Sequence, residues 1–79
     1  MKFKKYPENK PTKSKSYLCK HPVLLGNGKI VYYYTVQQWS NKWQAWNTSD
    51  IWDEVDDPLQ NAIYNVDGWA EIADEGYEN

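Results

Sequence analysis

The chain contains no arginine, one cysteine, one histidine, and only 13 isoleucine, leucine and valine residues among 79. Each shortage excludes something. A single cysteine, Cys19, rules out an intrachain disulfide. Without arginine the chain lacks the planar fork that reads guanine edges. An isoelectric point of about 5.2 is also unlike that of most nucleic-acid binders. Sequence-specific nucleic-acid recognition is therefore not expected. No apolar run approaches the roughly 20 residues of a bilayer-spanning helix. The charged start "MKFKKYPENKPTKSKS" is not followed by an apolar stretch, so no signal peptide is expected. A lone reduced thiol fits the cytoplasm.

The scarcity of aliphatics turns attention to the rings. Five tryptophans, seven tyrosines and Phe3 make up 16% of the chain. A domain this small has a thin stability margin and needs a dense core or a covalent staple. With no disulfide, the rings must supply that core, since each buries roughly 150–250 Å². The second strong feature is charge layout. Residues 1–29 hold eight lysines and Glu8, for a net +7, whereas residues 30–79 hold Lys42 and ten acids, for −9. Such asymmetry is either a folded-over ion-pair pattern or the mark of a charged partner.

The organisation reads as one small α+β domain. Residues 1–16 form an extended, mobile basic arm punctuated by Pro7 and Pro11, with Tyr6 as its anchor. The domain proper spans residues 17–72, and residues 73–79 are a frayed acidic tail. A first strand is expected over Tyr17–Leu25, with Tyr17, Cys19, His21 and Val23 on one face. Asn27-Gly28 predicts a type I′ hairpin turn. Ile30–Gln37 is apolar or aromatic on both faces and reads as a central, covered strand. A tight turn at Ser40-Asn41 leads to a third strand over about 42–47. Asp57, Pro58 and Gln60 approximate a capping box, and Leu59, Ala62 and Ile63 share a helical face, so a short helix is expected from Pro58 to Tyr64. Trp69–Ile72 closes the antiparallel sheet of three to four strands as the last of them.

Candidate chemistry is sparse. Cys19 and His21 lie two apart, the minimum for thiol catalysis. However, no orienting group or oxyanion site accompanies them, and a small core cysteine beside a strand-end surface histidine is the simpler reading. The chain is not expected to be an enzyme. The acids Asp50, Asp53, Glu54, Asp56 and Asp57 lack the glycine turn and spacing of a calcium loop, so no metal or cofactor is expected. Interleaved with Trp52, they instead resemble a protein-binding surface of charge plus apolar anchor, with Trp43 and Trp46 beside it. A second reading makes Tyr33, Trp39 and Trp43 a stacking platform for a nucleotide or other small molecule, built as a homo-oligomer.

The landmarks "YPENKPTKSKSYLC", "GKIVYYY", Trp39 and "VDGWAEI" resemble the DUF551-type family of small bacterial and phage proteins. Tyr17-Leu18, Tyr32-Tyr33-Tyr34, Trp39 and Trp69–Ile72 carry the likeness, which covers most of residues 6–72. The chain departs from the family pattern at Lys15, in the acidic stretch Thr48–Val66 and in lacking a proline after the last strand. The resemblance implies a phage or prophage origin, a host-cell cytoplasmic location and no catalytic residues. The functional expectation is a small accessory protein that binds and modulates a host protein, such as a nuclease or defence enzyme, through the acidic-aromatic segment.

Overall fold

The computed structural model describes residues 2–48, 57, 59 and 62–72. Strands β1 (Lys4–Lys5), β2 (Ser16–Leu24), β3 (Ile30–Ser40), β4 (Ala45–Asn47) and β5 (Gly68–Ala70) form one antiparallel sheet in the order β1-β5-β2-β3-β4. The sheet curls into half a barrel. No helix occurs among the described residues, so the α+β expectation is corrected to all-β.

Of the expected helix over Pro58–Tyr64, Pro58, Gln60 and Asn61 lie outside the described residues, and Leu59, Ala62, Ile63 and Tyr64 are not helical, for an identifiable reason. Ile63 donates its N–H to Trp46 O at 2.8 Å and forms an antiparallel bridge with it. Burying Ile63 against an aromatic core outweighs the weak drive of a seven-residue segment to nucleate a helix. Asp57 does accept from Leu59 N–H at 3.3 Å, and Ala62 donates to Leu59 O at 3.2 Å. These bonds make local turns.

Cross-strand register sorts the residues by face. Tyr17 pairs with Gln37, Cys19 with Thr35 and Trp69, His21 with Tyr33, and Trp39 with Trp46. This face carries the core: Tyr17, Cys19, Trp39, Trp46, Val66 and Trp69 are buried, with Tyr6 and Ile63 packed against them. Trp46 contacts Trp39, Tyr6 and Tyr17 at centroid distances of 4.8, 5.7 and 6.0 Å. Tyr17 meets Trp69 edge-on at 4.9 Å. Such tilted geometries suit the ring quadrupoles.

The basic arm is stitched onto the domain. Lys4 and Lys5 pair with Trp69 and Gly68, Tyr6 N–H donates to Asp67 O at 3.0 Å, and Trp69 Nε1–H donates to Asn9 O at 2.8 Å. Gly68 permits this approach, because a Cβ there would lie 3.1 Å from Lys4 O and 3.7 Å from Phe3 Cβ.

The β2–β3 hairpin forms where Asn27-Gly28 places it, but with a different turn. Gly28 N–H donates to Leu25 O and Leu25 N–H to Lys29 O, and only Gly28 has positive φ, at 86°. That is a three-residue loop with glycine in the left-handed position, not a type I′ turn.

Candidate functional site

The Cys19–His21 pair is resolved first by burial. Cys19 is fully buried, and burial pushes its thiol up to about 12. A thiolate nucleophile needs the opposite environment. His21 is not the surface residue expected from its place near a strand end. It is 2% exposed and bonded at both ring nitrogens. Nδ1 lies 2.6 Å from Asn65 O, so it must carry the proton it donates. Thr35 Oγ1 accepts from Gln37 Nε2 at 2.7 Å and donates its own proton to His21 Nε2 at 2.6 Å. Tyr33 stacks on the imidazole at 4.6 Å. The histidine acts as a polar tie between β2, β3 and the segment entering β5.

The expected acidic-aromatic surface falls largely outside the described residues. Asp50, Trp52, Asp53, Glu54 and Asp56 are among those not described, whereas Asp57 is exposed. Of the flanking rings, Trp46 is 1% exposed and belongs to the core. Trp43 sits half-buried in the turn between β3 and β4, with Lys42 Nζ 5.3 Å from its centroid. The expected stacking trio is not brought together either. Trp39 is in the core, and six residues of strand put it about 20 Å from Tyr33.

What the structure assembles instead is the outer half of the hairpin. Ile30, Val31, Tyr32, Tyr33, Tyr34 and Val36 are all exposed, between 41% and 55%. The expectation of a covered central strand over Ile30–Gln37 is thus overturned: of those residues only Gln37 is buried, and β4 pairs with β3 beyond them, at Gln38–Ser40. One face of this ribbon carries Ile30, Tyr32, Tyr34 and Val36 of β3 beside Leu18, Lys20, Pro22 and Leu24 of β2. Lys20 Nζ sits 4.2 Å from the Tyr32 centroid and 5.9 Å from that of Phe3, and Phe3 leans on Tyr34 at 5.6 Å.

The edge of β3 is open as well. Trp39 N–H turns toward the β2 side, donating to Lys15 O at 2.9 Å. By the alternation of an antiparallel ladder, the N–H and C=O groups of Ile30, Tyr32, Tyr34 and Val36 point the other way. β4 pairs only with Gln38–Ser40, so among the described residues nothing bonds to those outward groups. Charge patterning gave no sign of this site. The legible signal was the strand whose two faces are both apolar.

Comparison with protein families, curated proteins and solved structures returned no match for the chain.

Proposed function

We propose that the chain is a non-catalytic binding module that captures an extended segment of a partner protein as an added strand on β3. The observation that carries this reading is that, among the described residues, nothing pairs with the outer edge of β3 along residues 30–37. Strand addition draws affinity from main-chain hydrogen bonds and specificity from alternate side chains. Sheets that must stay unpaired guard their edges with lysine, proline or a bulge. The run "IVYYYTVQ" has no charge and no proline, and its pairing with β2 is unbroken.

The chemistry of the adjoining face defines the occupant. Ile30, Tyr32, Tyr34 and Val36 offer apolar and aromatic contact, and Lys20 supplies a cation. The strand residues of that face include no carboxylate. A segment alternating apolar residues with an acid able to reach Lys20 complements it. Exposed tyrosines suit such contacts because they give large area with few torsions to freeze. If the likeness to phage proteins holds, the partner is a host protein, engaged through this edge.

Selection of a displayed random-peptide library on the immobilised protein tests the reading. Enriched peptides should be extended, alternately apolar and acidic. Tyr34→Pro removes an N–H that has no partner among the described residues, and Val36→Lys guards the edge. Each should weaken captured peptides at least about tenfold while leaving the melting temperature within a few degrees. Enrichment that survives both substitutions refutes the reading. So does a concentration-dependent dimer of the wild type that both substitutions abolish, since the edge would then belong to a second copy.

A further inference from the structure

On the side of the sheet opposite Tyr32 and Tyr34, a cavity of about 290 Å³ opens beside β1, β5 and the chain leading into β2. Lys4, Lys10, Lys13 and Lys15 line it, with Glu71 as its carboxylate and the Trp69 ring as part of its wall. We propose that this cavity is a binding site for a phosphate group.

Three observations favour a built site over a loose cluster of surface lysines. First, the backbone beside each lysine is tied down. Lys4 is paired with Trp69 in the sheet, and its Nζ lies 4.9 Å from the Trp69 centroid. The Trp69 indole holds Asn9 O, next to Lys10, at 2.8 Å. The Tyr17 hydroxyl donates to Lys13 O at 2.9 Å. Second, the charge is unbalanced among the described residues. Lys15 Nζ engages Glu71 at 2.7 Å, whereas Lys4, Lys10 and Lys13 have no ion pair among the described residues. Three ammonium groups therefore share one concavity, where a multiply charged anion relieves their repulsion. Third, the volume lies at the small end of ligand sites, which run from about 300 to 1,000 Å³. It has room for a phosphate head group.

A phosphate monoester matches these features. It brings nearly two negative charges and three acceptor oxygens, and lysine serves it as a point-charge donor. The Thr12 hydroxyl on the cavity wall adds a neutral donor. The same chemistry occurs on a small phosphate ester and on a phosphorylated side chain of a protein.

The test follows the Trp69 indole N–H resonance during titration with inorganic phosphate. Acetate at matched ionic strength is the control for screening. A phosphoserine peptide and its unphosphorylated form make a second pair. Phosphate should give a saturable shift that acetate does not. The double variant Lys10→Gln/Lys13→Gln should bind at least about tenfold more weakly, and Lys20→Gln, on the other face, within about twofold of wild type. Tighter binding of the phosphopeptide than of inorganic phosphate assigns the site to a phosphorylated partner. Equal or weaker binding assigns it to a free phosphate ester. A non-saturable response, an equal response to acetate, or wild-type affinity in the double variant overturns the proposal.

Discussion

The buried thiol of Cys19 makes a quantitative prediction about alkaline pH. Burial raises it from an ordinary 9.0 to about 12 in the folded chain. In the unfolded chain the thiol regains water and its ordinary value. Between these two values the folded state keeps a proton that the unfolded state has lost, so raising the pH favours unfolding. The contribution is fully present below pH 9 and is lost as pH climbs toward 12, at about 1.4 kcal/mol per unit. At about pH 10.5 the loss amounts to roughly 2 kcal/mol. Alkaline pH acts on more of the chain than this one thiol, so the measurement must be a difference. Urea unfolding of wild type and Cys19→Ala, run from pH 7 to about 10.5, cancels every shared group. The gap between the two should move by about 2 kcal/mol against the wild type across that range. An independent readout is alkylation. At pH 8 a thiol at about 12 holds roughly a thousandfold less thiolate than one at 9.0, even before its burial is counted. Parallel pH profiles for the two proteins, or native alkylation as fast as in urea, would refute this account of the core. The second result would also revive Cys19 as a reactive group.

Substitutions at four further positions probe the packing. Trp46→Ala removes the ring at the centre of the aromatic cluster and should cost about 3–5 kcal/mol. A domain of this length has only about 4–12 kcal/mol in total, so its thermal melt should collapse, while Trp43→Ala in the turn should cost under about 1.5 kcal/mol. Gly68→Ala places a Cβ 3.1 Å from Lys4 O, so β1 must move away from β5. A loss of roughly 1–3 kcal/mol is expected, with hydrogen-exchange protection at Lys4 and Lys5 falling first. Gln44 holds a φ of 52° at the end of the β3–β4 turn. Gln44→Val should cost about 1–2 kcal/mol in denaturant unfolding, whereas Gln44→Gly should be close to neutral, because it trades relieved strain for the lost side-chain bonds to Asn41.

The elements that could be read from the sequence were those whose cause is local. The β2–β3 hairpin follows from Asn27-Gly28 between two β-rich runs, and the turn after Ser40 from polar residues between tryptophans. The turn type was not legible, because it depends on where Leu25 and Lys29 close the ladder. The order of strands was not legible either. Nothing local to Gly68–Ala70 announces that it inserts between Lys4–Lys5 and β2. The helix was misread for the complementary reason. Leu59, Ala62 and Ile63 have helical spacing, but Ile63 bridges to Trp46, far back in the chain, and packs on the aromatic core. His21 shows the same limit. Its partners, Thr35 and Asn65, lie 14 and 44 residues away, so its burial could not be inferred from its own strand. The open edge of β3 was hidden because composition cannot show that β4 stops after three residues.

The division of the rings between core and surface is the feature that links stability to function. Among the described residues, Trp39, Trp46 and Trp69 are buried, whereas Tyr32, Tyr33, Tyr34 and Tyr64 are exposed. The physical basis is a difference in what each ring can bury. Indole brings the larger apolar area, enough that Trp39 and Trp46 are buried although their N–H groups have no hydrogen-bond partner among the described residues, whereas the smaller phenol gains less by leaving water. Tyr17 is buried as well, and its hydroxyl donates to Lys13 O. A chain poor in aliphatics thus uses tryptophan to make a rigid half-barrel and is left with tyrosines on the strand that projects from it. Rigidity of the base lowers the ordering cost of binding at the tip. The stability of the aromatic cluster and the readiness of β3 to accept a strand are therefore coupled. A milder substitution such as Trp46→Phe, measured where the chain is still folded, should weaken peptide capture at β3 although Trp46 itself presents no surface to a partner.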